Sequence, residues 1–411
     1  MKKVYIIGGG ISGLIAALVL EKHQIYPIII EKSDRVGGRV KTDLVDNFQL
    51  DHGFQVLLSS YPAAKKYLDY ESLNLQKLEA GACIFKNGKQ YYFGDPLRNP
   101  TLFFPTLFSK IGTLNDKIKI ARLNFRLQKK TFESIFKEKE ISTINYLKNC
   151  GFSQKVIDNF FKPFFSGVFL ETDLVTSSRM FEFVFKMFGK GLAVIPKKGM
   201  QEIANQLKNN LKKTTIQLNT KVISIKNKEI HLSDGEVLQS DYTILATEAN
   251  QIIGNLNNQK TYWKSCQNLY FSTPKRLYKK AFIGLIPNKN CLINNIFYPT
   301  SIPTNIKGDN ELISVTVIKK HKYSDEDLIL KVKEELEKFC TIKDLTFLKI
   351  FHIKKALPIL NNLQYELTPS ETKLKEGMYL AGDILLNGSL NAAMISGERA
   401  ALAVINALNN T

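Results

Sequence analysis

The chain is poor in cysteine, histidine and acid, and each shortage excludes a class of protein. Its five cysteines among 411 residues (Cys83, Cys150, Cys266, Cys291 and Cys340) lie far apart, with no C-x-x-C pair. An odd, dispersed set excludes a disulfide framework and points to a reducing compartment, the cytoplasm. The five histidines have no metal-ligand spacing, so no metal site is expected. Internal repeats and Pro/Ser-rich linkers are missing too. Lys and Arg number 57 against 38 Asp and Glu, a net charge of +19. The cations are scattered rather than gathered in a stripe, so no nucleic-acid partner is expected. Two sources of that charge stay open: a lysine- and asparagine-rich composition, or a surface that meets anionic membrane. With 44% hydrophobic and 23% charged residues the chain is otherwise an ordinary globular one. Its length leaves room for two or three domains of ~150 residues.

Long apolar runs are also scarce. One uncharged stretch, Val4 to Leu20, follows Lys2-Lys3 and nears the length of a membrane span. Four glycines (Gly8, Gly9, Gly10, Gly13) interrupt it, no A-x-A-like cleavage pattern follows, and Glu21-Lys22 comes at once. A buried strand at Val4-Tyr5-Ile6-Ile7, a glycine turn and a helix over Leu14–His23 account for it better. The turn has the G-x-G-x-x-G spacing, and Pro27–Glu31 reads as a second strand ending in an acid. Gly8 permits the tight turn, Gly10 leaves room for a diphosphate, and Gly13 lets helix and strand pack. The start of the helix, with its free N–H groups, favours an anion by roughly 0.3–1 kcal/mol. Glu31 can accept hydrogen bonds from a ribose. Just beyond, Arg35-Val36-Gly37-Gly38-Arg39 gives a ligand two glycines for close approach and an arginine for its phosphate.

These residues resemble the FAD-binding signature of the amine oxidase and phytoene desaturase superfamily, which also includes protoporphyrinogen oxidase. Asp51-His52-Gly53-Phe54-Gln55 and Ser60-Tyr61-Pro62 are similar to elements of the phytoene desaturase-like branch, to which the chain looks closest, although that branch typically carries a histidine where Gln55 stands. Ala381-Gly382-Asp383, followed by Ser389 to Ala400, resembles the second flavin motif. The resemblance implies FAD as cofactor. It carries cofactor contacts onto Gly8, Gly10, Ile11, Ser12, Gly13, Glu31, Lys32, Gly38, Arg39, Gly53, Phe54, Val222, Gly382, Asp383 and Leu390. Asp383 would bind the ribityl or phosphate region, the Leu390 backbone would face the pyrimidine edge, and the Val222 backbone would hold adenine. Gln55 and Tyr61 are flavin-side by motif, with structural roles expected; no catalytic residue is named.

The expected fold is α/β: a Rossmann-like FAD-binding domain of discontinuous, ββα-type topology beside an α+β substrate-binding domain. The first draws on 1–78, 196–250 and 368–411. The second draws on 79–195 and 251–367, with a mixed sheet and a helical, membrane-facing insert. Ala82 to Phe93 around Asn87-Gly88 reads as a hairpin. Strands are expected at Leu312–Lys319 and Phe347–Lys354 around a helix at Asp325–Phe339, and a strand pair from Thr220 to Thr247. Residues 115–195 are helical and rich in phenylalanine. There Met180–Phe188, with Leu102-Phe103-Phe104-Pro105, offers apolar surface for a bilayer interface or for the core.

The implied activity is FAD-dependent dehydrogenation of a lipophilic, polyene- or carotenoid-like substrate by hydride transfer, with oxygen or a quinone as electron acceptor. Protoporphyrinogen-type or amine oxidation is the alternative, and a non-redox flavin isomerase a further one. A basic membrane or nucleic-acid binder with a vestigial nucleotide site is the non-enzymatic reading. Amine oxidases typically have a tyrosine where Ser389 stands and a flavin-side lysine near Cys266; Lys264 is the nearest lysine.

Overall fold

In the computed structural model, which describes residues 2–96, 98–256, 259–305 and 308–410, the N-terminal run forms the centre of a six-stranded sheet. Strand Val4–Ile7 is buried along its whole length, as an apolar run without alternation requires. It pairs in parallel with Ile28–Ile30 on one side and Tyr242–Leu245 on the other. Thr215–Gln217 and Met378–Leu380 extend the parallel sheet, and Lys373–Lys375 closes it as an antiparallel edge. The helix after the glycine turn runs from Ile11 to Lys22, one turn earlier than the apolar periodicity suggests, because the strand ends at Ile7 and Gly10 already stands at the N-cap. It is buried from Ile11 to Leu20 and packs on the C-terminal helix Leu390–Asn409. The expected pair after Thr220 is a three-stranded meander, Val222–Lys226, Glu229–Leu232 and Val237–Gln239; the chain then rejoins the parallel sheet.

A second sheet of seven strands forms the other half. Its order is Thr346–Ile359, Tyr262–Thr273, Glu311–Val317, Ile293–Phe297, Ile283–Leu285, Gly81–Lys86 and Lys89–Gly94. The pairs are antiparallel apart from Ile283–Leu285 with Gly81–Lys86. The expected hairpin at Asn87-Gly88 is its last pair, and the helix Asp325–Cys340 packs on one face over Leu269, Ile313 and Val315. The opposite face carries Asn268, Tyr270, Ser314, Thr316, Asn295 and Phe297, in line with the two-residue alternation of strands.

The helical segment between Phe103 and Lys190 covers one end of that face. Gly167, in helix Lys162–Phe169, lies so close to Asn294 and Asn295 that a methyl group would meet both amides. Here the structure selects the core reading of one segment over the interfacial one. Helix Ser178–Lys190 does not present Met180–Phe188 to solvent: Phe181, Phe183 and Met187 are fully buried among Phe161, Phe165 and helix Leu114–Lys129. Lys186 of the same helix is buried as well; its Nζ donates to the Leu127 and Gln128 carbonyls. The exposed aromatics of this segment include Phe103, Phe104, Phe108 and Phe125 instead. Among the described residues no helix is long and apolar enough to cross a membrane.

Candidate active site

The glycine turn is built by contacts that forbid side chains. Gly8 has φ +110°, and a Cβ there would lie 2.7 Å from the Ala246 carbonyl oxygen. At Gly13 a Cβ would overlap the Gly8 carbonyl. Gly10 and Gly38 face each other through an isolated bridge between Gly10 and Gly37, and nothing else fills the space on their Cβ sides. No side chain caps the helix at Gly10, and no acid lies in its first turn, which contains Ile11, Ser12 and Gly13. The buried start of this helix is therefore open to an anion. These features fit the diphosphate of a dinucleotide.

Glu31 is buried, and its carboxylate accepts the Gly9 N–H at 2.7 Å and the Ser33 N–H at 2.9 Å. Each oxygen keeps a lone pair for a ribose hydroxyl. Lys32 beside it is exposed. Thr220 N–H donates to the Glu31 carbonyl and Asn219 N–H to that of Ser33, which brings the loop before Val222 alongside.

The second motif closes on the first. The Arg39 guanidinium pairs with the buried Asp383 carboxylate and donates to the Ala356 carbonyl at 3.4 Å. Gly382 takes φ +153°, and its N–H donates to Ser396 Oγ at 2.9 Å. Ser389, in the place of a tyrosine, caps the C-terminal helix by accepting the Ala392 N–H at 3.0 Å, so Leu390 begins the helix.

Between this cradle and the polar face of the seven-stranded sheet runs a cleft lined by Asp51, Gly53, Phe54, Gln55, Tyr270, Phe297, Ile302 and Ser314, among others. Gly53 has φ +94°, and Phe54 packs on Phe297 with ring centroids 5.0 Å apart. The Gln55 amide donates to the Arg39 and His52 carbonyls, and Tyr61 stacks on Phe183. Asp51 accepts Thr42 Oγ1 at 2.5 Å and the Met200 N–H at 3.0 Å. Desolvation nevertheless pushes its carboxyl up to about 6, because it outweighs those two bonds. The Lys264 Nζ donates to Glu171 at 2.5 Å, the Phe169 carbonyl at 2.9 Å and Thr176 at 3.0 Å, so all three of its protons are engaged. Tyr270, Phe297 and Ser314 line the cleft although no local motif marks them; only the pairing of distant strands assembles them.

The model of the family described as flavin containing amine oxidoreductase matches residues 11–405. Among curated relatives, coproporphyrinogen III oxidase of Bacillus subtilis (strain 168) is 23% identical over 297 residues, 62% of either chain. The 4,4'-diapolycopen-4-al dehydrogenase of Metabacillus indicus is 27% identical over 146 residues, 34% of this chain and 24% of that protein. The chain thus spans less than two thirds of these relatives. Among solved structures, cyclohexylamine oxidase from Brevibacterium oxydans IH-35A superposes with a TM-score of 0.70 at 13% identity, covering 99% of each chain, which establishes the fold. With nearly its whole length matched, the chain belongs to the flavin-containing amine oxidoreductase family, whose cofactor is FAD.

Proposed function

We propose that the enzyme dehydrogenates a lipophilic, polyene-like substrate in the cleft beside Gly53-Phe54-Gln55, in the manner of the phytoene desaturase-like branch. Bound FAD supplies a hydride acceptor. The chain's part is to hold the cofactor, orient a carbon–hydrogen bond and keep water out. In this reading Gly8, Gly10, Ile11, Ser12 and Gly13 hold the diphosphate, while Glu31 and the neighbouring Lys32 hold the adenosine ribose. Gly38, Arg39, Gly382 and Asp383 hold the phosphate–ribityl segment, Gly53, Phe54 and Leu390 flank the flavin, and Val222 holds adenine.

The observation that carries the proposal is the lining of the cleft. Phe54, Phe297, Ile195, Pro299 and Ile302 supply its apolar walls, and Asp51, its one carboxylate, already accepts two hydrogen bonds. An amine oxidase would call for a lysine free to hold water at the flavin, and Lys264 is fully committed to Glu171, Thr176 and Phe169. Porphyrinogen oxidation is the second reading, favoured by the relative from B. subtilis. Electrons then leave to oxygen or a quinone. The same reading includes peripheral contact with an anionic membrane, for which helix Phe103–Phe108 is the best placed element. Phe103, Phe104 and Phe108 are 49%, 65% and 74% exposed.

The test is anaerobic: the absorbance of the flavin is followed while a polyene, a coproporphyrinogen and a primary amine are added separately. Bleaching by the polyene alone is expected. Bleaching by the porphyrinogen alone would favour the second reading, and bleaching by the amine would overturn both.

A further inference from the structure

Asp51 is the one carboxylate among the residues lining the cleft, and only one of its two oxygens is engaged. Both hydrogen bonds that it accepts, from the Thr42 hydroxyl and the Met200 N–H, end on Oδ1. Through them Oδ1 ties the hairpin of strands Thr42–Val45 and Phe48–Asp51 to the start of helix Gln201–Asn210, whose Gln201 N–H donates to Thr42 at 3.0 Å. Oδ2 accepts nothing from the described residues and is not sealed off by protein atoms. The residue is half-buried, and its side chain shares a face of the strand with Gln49, which lines the same cleft. Oδ2 therefore opens on the cleft.

The neighbouring polar groups are committed to the protein. The Gln49 amide holds the Lys197 carbonyl and the Asn305 N–H, the Tyr270 hydroxyl donates to the Asp51 carbonyl at 2.8 Å, and Ser314 exchanges hydrogen bonds with Asn268. No side chain of the cleft is thus placed to satisfy the two lone pairs of Oδ2. A molecule that fills the space between Phe54, Phe297 and Ile302 displaces water from this oxygen, and a buried acceptor left without a donor is penalised. A bare hydrocarbon incurs that penalty, whereas a molecule with a suitably placed donor does not. We infer that Asp51 is a specificity-determining residue: its Oδ2 accepts a hydrogen bond from an O–H or N–H donor on an otherwise apolar substrate. The inference rests on the cleft being the substrate site, as proposed above, and narrows the polyene to a polyene alcohol; the pyrrole N–H groups of a porphyrinogen offer the same chemistry. Burial pushes the Asp51 carboxyl up to about 6, so the acceptor is charged at neutral pH and is neutralised as the pH falls through that value. The other titratable residues of the lining are Tyr270, from strand Tyr262–Thr273, and Lys197, from the segment before helix Gln201–Asn210. On the hairpin itself, Arg35 and His52 both pair with Asp43.

The experiment uses FAD-loaded protein reduced under nitrogen, so that binding is read without turnover. Kd is measured for retinol and for its hydrocarbon analogue axerophthene from their emission, and for coproporphyrinogen by equilibrium dialysis. At about pH 8 the native protein is expected to bind retinol about tenfold more tightly than axerophthene, the effect of one hydrogen bond to a charged group. That ratio is expected to narrow at about pH 5, where the carboxyl is neutral and less costly to desolvate. Asp51→Asn keeps an oxygen for Thr42 and Met200 and turns an amide donor toward the cleft. It is expected to lose both the preference for the alcohol and its pH dependence, which a merely structural role for Asp51 would leave in place. Equal affinity of the native protein for the two polyenes, or a preference that Asp51→Asn retains, would overturn the inference and leave the polyene reading standing. So would a native ratio indifferent to pH, a result that requires no variant to fold. Binding of coproporphyrinogen alone, lost in Asp51→Asn, would uphold the inference and overturn the polyene reading. If none of the three binds, the cleft is not the substrate site and both fall.

Discussion

Gly397 lies where the C-terminal helix crosses the helix of the glycine turn, and a methyl group there would overlap the Ser12 carbonyl oxygen. Ser12 belongs to the first turn of the helix proposed to hold the diphosphate, so the contact joins packing to cofactor binding. Gly397→Ala must push the two helices apart, which costs about 1–3 kcal/mol by analogy with other overpacked cores. The expected result is a lower unfolding temperature, with a larger deficit in saturating FAD than without it. An equal deficit in both conditions would separate the crossing from the cofactor. Gly13 could be assigned from its place in the G-x-G-x-x-G spacing, because a local turn dictates it. Gly397 could not be given this partner, because a contact across almost four hundred residues leaves no local spacing. The places of Tyr270 and Ser314 in the cleft were illegible for the same reason.

Among elements, helix Ser178–Lys190 and helix Phe103–Phe108 looked alike in the sequence, since phenylalanine meets a core or a lipid equally well. Polar residues decide between the two. Within the longer helix Glu182 is buried and accepts Lys130 and the Tyr146 hydroxyl, while Lys186 caps the last carbonyls of helix Leu114–Lys129. Buried charges of this kind mark an interior helix with partners on every side. Desolvation, with Lys190 nearby, lowers the Lys186 ammonium to about 8. Its folded value is below the ordinary 10.5, so the unfolded chain binds more protons between the two. The Lys186 contribution to stability therefore rises with pH across that window. The difference in urea-unfolding free energy, native minus Lys186→Met, is expected to increase from pH 8 toward pH 10.5. A flat difference would mean that Lys186 stays charged and solvated. The parallel strands, the hairpin at Asn87-Gly88 and helix Asp325–Cys340 were legible, because period and turn residues specify them locally.

For the molecule as a whole, the net charge of +19 gains meaning only from its placement. From Asn99 to Phe132 the only acid is Asp116, which is buried and bonded to Thr113 and Ser153. Lys110, Arg122 and Lys129 are exposed along the same stretch, as are Leu114, Ile118 and Phe125 on one side of helix Leu114–Lys129. Phe104 and Phe108 stack nearly parallel, with centroids 6.3 Å apart. Apolar rings flanked by cations and free of acids suit the anionic membrane contact proposed above, in which the rings would enter the acyl boundary and the lysines would meet headgroups. Each ring taken out of water contributes about 1.5–3 kcal/mol, so two together outweigh several screened surface charges. Phe104→Glu/Phe108→Glu removes exposed groups and leaves the core untouched. It is expected to keep native flavin binding while partitioning onto phosphatidylserine-rich vesicles at least tenfold less than the native chain in a sedimentation assay. Raising the salt should weaken the native interaction without abolishing it, since screening acts on the cations and not on the rings. Vesicle binding that disappears with salt and ignores the two phenylalanines would assign the contact to charge alone, and the rings would then be free for a protein partner.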